Sequence, residues 1–501
     1  SGRYIFIPAE VGSGAGVFRY DTQTGQHVTL MQGNGSGTRQ SDPAAFDPMN
    51  DDFARIDPCT WTPWGTIVTG EETTGGRCFE IMNPLSESGP FNVVWRSNIP
   101  AMGHEGQRFD ANGVFYIVDE NNSGSVYKFV PSTAGDLSQG QTFVLSVNAY
   151  LGAADQNWNS AINVGQIRRG SATWVPLTDA NGVALTAANP FAFVTTTGGR
   201  DAADEVNGTP YGRPEDLTIG RLANGNEIVY FTATSENSVY GIELISTVEA
   251  RVHLFASRDT VNEANGQPIG NQLSSPDNLA IDAFGNIYVI EDQNPGDVFK
   301  CTDADGDGVA ESIGRFISLG VGGSEPTGFI VDPTDDFRFI VAIQHPSSGN
   351  DAVWSIDTRA FPGTGDDLIL AAGVNEAPMI VPGESTKSVR AFNDLNFHVA
   401  SPSGLFVGST YFFFFDLYLT GLRPVTGAPF LHADLATAVG VVNTAPSILP
   451  SLLPSAGANF MGVLPPGLAG ISVIFQAAAA SANAKNHFVA VSDGVELQII
   501  L

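Results

Sequence analysis

Glu71 and Glu72 close a short apolar strand, Thr66 to Thr69, which follows the turn Asp57-Pro58-Cys59-Thr60-Trp61-Thr62-Pro63-Trp64-Gly65. Strand ends deliver side chains to a fixed place, so two carboxylates there can hold a cation or move a proton. Taken alone, such a pair is more often two solvated acids. The grammar recurs, however. Gly103-His104-Glu105 precedes a strand ending on Asp119-Glu120, and Arg213-Pro214-Glu215-Asp216 precedes Ile228 to Thr232. Ser275-Pro276-Asp277 precedes a strand ending on Glu291-Asp292, and Ser324-Glu325-Pro326 precedes one ending on Gln344.

If each copy sits at the same end of its own unit, Glu71, Glu72, Glu105, Asp119, Glu120, Glu215, Asp277, Glu291, Asp292 and Glu325 converge on one opening. Carboxylates a few ångströms apart raise one another's pKa, so such a set calls for cations. Oxygen ligands suit Ca²⁺ or Mg²⁺, and Cys59 on the same face would add a soft ligand for a transition metal. A disulfide to Cys78 and a buried thiol are the other readings of Cys59. Arg213 is placed to clamp a phosphate or carboxylate, or else to pair with the same acids. Separately, Asp303-Ala304-Asp305-Gly306-Asp307-Gly308 resembles the opening of a calcium loop, with Glu311 to close it because Gly314 holds the twelfth place. A turn-pinning calcium is expected there.

Something must position these residues, and composition says what. With 56 Gly, 30 Pro and 43% hydrophobic residues, the chain reads as folded, turn-rich and all-β. Short strands in units of roughly 45 residues are the mark of β-propeller blades. Five units are clear, and a sixth runs from Phe337 through Ile356, so a five- or six-bladed propeller is expected over 1–382. An insertion at 152–205, carrying Trp158, Arg168, Arg169 and Trp174, reads equally as a lid or a surface excursion. The remainder, 383–501, reads as a small β-sandwich. In it, Phe412 to Phe415 form either a strand buried on both faces or an exposed docking patch.

A formal charge of −30, with lysine only at 128, 300, 387 and 485, excludes nucleic acid and anionic membranes as partners and favours divalent cations. The longest apolar run, Tyr411 to Leu419, is too short to span a bilayer. Three cysteines make no disulfide scaffold. The Lys-poor, Asp/Gly/Asn/Thr-rich composition suits a mature secreted chain, extracellular or periplasmic.

The stretch Cys59 to Glu72, followed in order by Gly103-His104-Glu105, Arg213-Pro214-Glu215, Pro276-Asp277-Asn278, Ile290-Glu291-Asp292, Glu325 and Ile343-Gln344-His345-Pro346, resembles the PhoX-type alkaline phosphatase family over residues 1 to 358. The resemblance implies a secreted propeller splitting phosphate esters at a calcium and iron(III) cluster. On that pattern Cys59 and Glu105 are iron ligands, Glu71, Glu72, Glu120 and Glu215 help hold the metals, and Arg213 binds phosphate. One departure stands out: Pro8-Ala9-Glu10 occupies the place of a family segment that supplies an Asn-type phosphate contact. The segment Leu464 to Gln476 is similar to C-terminal β-sandwich modules of secreted bacterial proteins.

An alkaline phosphatase-like phosphoric monoester hydrolase is therefore the leading expectation. The alternative is a non-catalytic extracellular protein that self-assembles into a fibre or layer through its C-terminal domain and its terminal strands, Arg3 to Ile7 and Gln498 to Leu501. A sugar- or lactone-hydrolysing propeller is the third.

Overall fold

The computed structural model describes residues 2–193, 197–347, 349, 351–359, 361–380, 385–422, 426, 428, 430–442 and 451–501. The chain divides into two compact units, Ser1–Ile356 and Asp357–Leu501. The expected boundary at 382/383 lies outside the described residues. Ile369–Val374, assigned from sequence to the first domain, pairs with Asp394–Ala400 inside the second unit.

The first unit is built from antiparallel meanders, six among the described residues. Five entering strands, Ile56–Trp61, Met102–Phe109, Pro214–Arg221, Pro276–Ile281 and Glu325–Asp332, lie side by side in that order, and Tyr4–Ala9 of the first meander lies beside Ile56–Trp61. Gly2 packs against Asp332 and Thr334, bringing the sixth meander back to the first. This is a six-bladed propeller. The second strand of a blade is covered by a neighbouring blade on each side, which is why Phe115–Asp119 and Ile287–Glu291 are buried at every position and read as continuous apolar runs. Between the fourth and fifth blades, for example, Ile228, Tyr230 and Val239 interlock with Leu279, Val289 and Phe299. Each such side chain fully buried contributes about 1.5–3 kcal/mol.

The insertion, expected to be a lid or a surface excursion, is in part neither. Its strand Gly170–Pro176 joins Asp136–Val147 of the third blade to Glu249–Ser257 of the fourth, and so stitches two blades together at their outer edges. Its helix, Gly198–Glu205, sends Arg200 to Asp119. Trp158 N donates to Asn122 O at 2.7 Å, and Arg168 pairs with Glu236 while lying over the Trp158 and Tyr211 rings. The segment thus props the loops that follow Glu120 and precede Arg213.

In the second unit, a three-stranded and a six-stranded sheet face each other across Leu370, Phe397, Phe413, Phe475 and Leu497. Phe412–Phe415 lie on the long strand Thr410–Leu419, where Phe413 and Phe415 join this core and Phe412 and Phe414 a second cluster on the other face. The strand is covered on both sides, which removes the docking patch. The terminal strand Val495–Ile499 is flanked by Ile471–Ala480 and Thr386–Val389, so its backbone is already paired and offers no open edge.

Candidate functional site

Four blades share one local device. At the start of the entering strand the register slips between Ile56 and Cys59, His104 and Gln107, Pro214 and Leu217, and Pro276 and Leu279. The residues left unpaired by these bulges include Asp57, Glu105, Glu215 and Asp277, and a bulge re-aims a side chain that the ladder would hold flat. The residue two places earlier is pinned in every case. The carbonyls of Arg55, Gly103, Arg213 and Ser275 accept from the amides of Glu72, Glu120, Thr234 and Asp292 at 2.8, 3.0, 3.0 and 2.9 Å. Arg55, Arg213 and Ser275 are held in the left-handed region, with φ of 48°, 53° and 47°.

The consequence is convergence. Carboxylate oxygens of Glu105, Glu215 and Asp277, from three blades, lie within 4.8 Å of one another, and so do those of Glu10, Asp57 and Glu72. Asp57 and Glu105 stand carboxyl to carboxyl and link the two groups, as Glu72 and Glu120 do beside them. Asp292 and Glu325 extend the field toward Asp277 and Glu10. Burial, and then the neighbouring acids, push Glu72 up to about 11, and burial pushes Asp57 up to about 7. Glu105, Glu215 and Asp277 are driven well above the usual carboxylate range for the same reasons, burial first.

Arg213 faces this set from the fourth blade. Its Nε donates to Glu120 Oε1 at 2.7 Å, and Nη2 lies 2.9 Å from Glu215 Oε1. The second contact has ion-pair distance without hydrogen-bond alignment, so Glu215 Oε1, like Glu105 Oε2, is buried without an aligned donor. Buried acceptors of this kind are costly unless something positive meets them. Oxygen donors, high negative charge and orphaned lone pairs together fit a hard cation.

Not every expected residue is there. At each strand-end pair the second acid joins the cluster and the first turns away, because successive side chains on a strand point to opposite faces. Glu71 is fully buried and takes both Arg77 Nε and Nη2 at 2.9 Å, Arg39 Nη1 at 3.1 Å and two backbone amides; it is a structural ion pair and not a cluster member. Asp119 is held by Arg200, with two contacts of 2.7 Å. Glu291 accepts from the amides of Ser274 and Asp297, while Asp292 faces the cluster.

Cys59 also departs from expectation. It is a free thiol, as are Cys78 and Cys301, so the disulfide reading falls. Its side chain packs against the core that holds Phe53 and Phe79, burial pushes the thiol up to about 12, and it belongs to none of the ligand groups among the described residues. Asp57, two residues earlier, takes that place. The residues missed from sequence are Asp57 and Glu10. The repeat carried the signal for both: Arg55-Ile56-Asp57 aligns with Arg213-Pro214-Glu215, and Ala9-Glu10 ends a strand as Asp119-Glu120 does.

Asp303, Asp305, Asp307 and Glu311 form a separate group on the fifth blade. Here the backbone already satisfies the acids. Asp303 accepts from Gly306, Asp307 and Gly308, and Glu311 from Ala304.

The family model of alkaline phosphatase PhoX matches residues 96–347. The chain belongs to the PhoX family. Membership places it, at the level of the family, among metal-dependent phosphoric monoester hydrolases. The PhoX match covers Glu105, Glu120, Arg213, Glu215, Asp277, Asp292 and Glu325, and begins after the Cys59–Glu72 stretch. No curated protein matches the chain. Similar solved structures include the polysaccharide lyase Uly1, at 12% identity and TM-score 0.31 over 71% of this chain and 88% of that one. The dihydro-heme d1 dehydrogenase NirN has 8% identity and TM-score 0.31 over 71% and 65%. A putative glucose dehydrogenase-type oxidoreductase from Thermus thermophilus has 15% identity and TM-score 0.25 over 60% and 94%. Among the described residues, no helix of this PhoX-family chain is long and apolar enough to cross a membrane.

Proposed function

We propose that the converging acids line the mouth of the propeller channel and hold hard cations, calcium foremost, over which the phosphate group of a monoester is bound and hydrolysed. The observation that carries this reading is the set of carboxylates from separate blades with buried oxygens at Glu105 and Glu215 that lack an aligned donor, beside the guanidinium of Arg213.

The chain's own residues divide the work. Glu10, Asp57 and Glu72 would hold one cation, and Glu105, Glu215 and Asp277 another, with Glu120, Asp292 and Glu325 in support. When bound, such cations neutralise charge on phosphoryl oxygens and acidify water. Arg213, released from part of its pairing as cations take over the acids, orients the phosphate and stabilises the charge that spreads over its oxygens in the transition state. Its backbone, pinned by Asn121 and Thr234, keeps the guanidinium aimed without further ordering. Iron(III), itself hard, is compatible with these carboxylates, though not through Cys59. The Asp303–Glu311 loop is a second, turn-pinning calcium site in this reading. The acidic, Lys-poor surface favours action outside the cell or in the periplasm, where calcium is plentiful.

The test is direct. Protein loaded with calcium, with and without iron, should release phosphate from an aryl phosphate, and Arg213→Ala should lower turnover by roughly 10²–10³-fold. No phosphate release under any metal condition rejects the reading.

A further inference from the structure

We propose that Arg55 is a second phosphate-binding residue of this site, gripping the substrate from the side opposite Arg213; the inference rests on the reading just given. Arg55 occupies in the second blade the place that Arg213 occupies in the fourth. Both are left-handed, at φ 48° and 53°, and both stand two residues before a bulged acid, Asp57 and Glu215. Arg55 N donates to Val11 O at 2.7 Å and Arg213 N to Asn121 O at 3.0 Å, in each case the residue after the acid that ends a strand of the preceding blade. The side chains reach those same acids. Arg55 Nη1 lies 3.3 Å from Glu10 and 4.0 Å from Glu72, while Arg213 Nη2 lies 2.6 Å from Glu120 and 2.9 Å from Glu215.

Each arginine thereby guards one carboxylate group, and the two meet across a shared pair. Arg55 faces Glu72, Glu72 faces Glu120, and Glu120 faces Arg213. The fifth blade carries uncharged Ser275 at this position, so two of the bulged positions present a guanidinium, and they are the two that flank the acid groups. An arginine that served only to neutralise acids would be expected to resemble Arg77, which is fully buried, doubly bonded to Glu71 and bonded again to Asp51. Arg55 is instead 53% exposed and holds its acids loosely. A planar guanidinium left accessible beside bound cations is suited to the terminal oxygens of a phosphate. With one arginine on each side, the site favours a monoester dianion over a diester, whose second ester group removes an oxygen from the grip.

The experiment is calorimetric titration of inorganic phosphate into the calcium-loaded full chain, with bound calcium counted for every variant. Arg55→Gly removes the charge and suits the left-handed backbone, so the fold is not taxed. It should bind phosphate roughly 10–100-fold more weakly with unchanged calcium per chain. Arg55→Lys should recover part of the loss. Phosphate binding by Arg55→Gly within about twofold of the parent overturns the proposal, as does a loss of calcium that accounts for the change. Arg213→Ala run in parallel separates the two readings. Binding that depends on Arg213 but not Arg55 overturns this inference alone, whereas a parent protein that binds no phosphate overturns both.

Discussion

The carboxylates around Asp57 and Glu105 and those of the loop from Asp303 to Glu311 are the same side chains in opposite circumstances. In the first region they are drawn from different blades, and the buried Glu105 and Glu215 each keep an oxygen with no aligned hydrogen-bond donor. In the second they are mostly exposed, come from one turn, and are hydrogen-bonded to that turn's own amides. The first arrangement is unstable in its charged form without cations, whereas the second is tolerable without them. An acidic cluster in sequence therefore says little about need for metal until it is known which amides its oxygens already have. A third circumstance lies between them, at Glu71 and Asp51, where Arg77 supplies the positive charge permanently.

The largest effect should come from that permanent pair. Arg77→Met strands two buried carboxylates and is expected to cost about 3–5 kcal/mol in chemical denaturation, a loss that calcium does not repair. Next, the two regions should part company on calcium. Glu105→Gln combined with Glu215→Gln should remove most of the calcium-dependent rise in stability, which for one site at a hundred times its Kd amounts to about 2.7 kcal/mol. Asp305→Asn with Asp307→Asn should remove at most one calcium and little of that rise. Equal losses from both double variants would break the contrast between the two regions.

A pH profile sharpens it further. Carboxyls whose folded-state pKa is raised hold more protons than the unfolded chain, so their contribution to stability is present at low pH and is lost as pH rises. With Asp57 at about 7 and its neighbours also raised, the metal-free protein should lose stability between about pH 4 and pH 7. Saturating calcium should flatten that slope, and Asp57→Asn should reduce it. A metal-free protein that grows more stable across this window would contradict the burial of these acids. The smallest effect distinguishes neighbours on one strand. Glu72→Gln should weaken calcium binding and leave the metal-free fold within about 0.5 kcal/mol of the parent or slightly more stable, while Glu71→Gln should destabilise it and leave calcium binding alone. Reversed outcomes would mean that the strand presents its other face to the site.

Much of this was legible in the chain. Repeating turns and apolar strands announced the blades, and the copies built on Glu105, Glu215, Asp277 and Glu325 announced which positions would meet. The second-blade copy is less legible, because Cys59, a stronger ligand type for a transition metal, stands two residues after Asp57, although Arg55-Ile56-Asp57 has the spacing of Arg213-Pro214-Glu215. Glu10 is less legible because it stands as a lone acid after Ala9, where other copies end on an adjacent pair such as Asp119-Glu120. The four phenylalanines at 412–415 could not be assigned to an open or a covered face until the layers on both sides of their strand were known.

What the amino-acid order determined by itself is the repeat: strand lengths, turn residues and the interval from a left-handed residue to the acid two places on are all local, set by sterics within a few residues. Which acid of each adjacent pair faces its counterparts was decided only by tertiary structure. A strand has two faces, and it is the packing of one blade on the next that makes one of them wall and the other interior. Glu71 met an arginine there, and Glu72 met other acids.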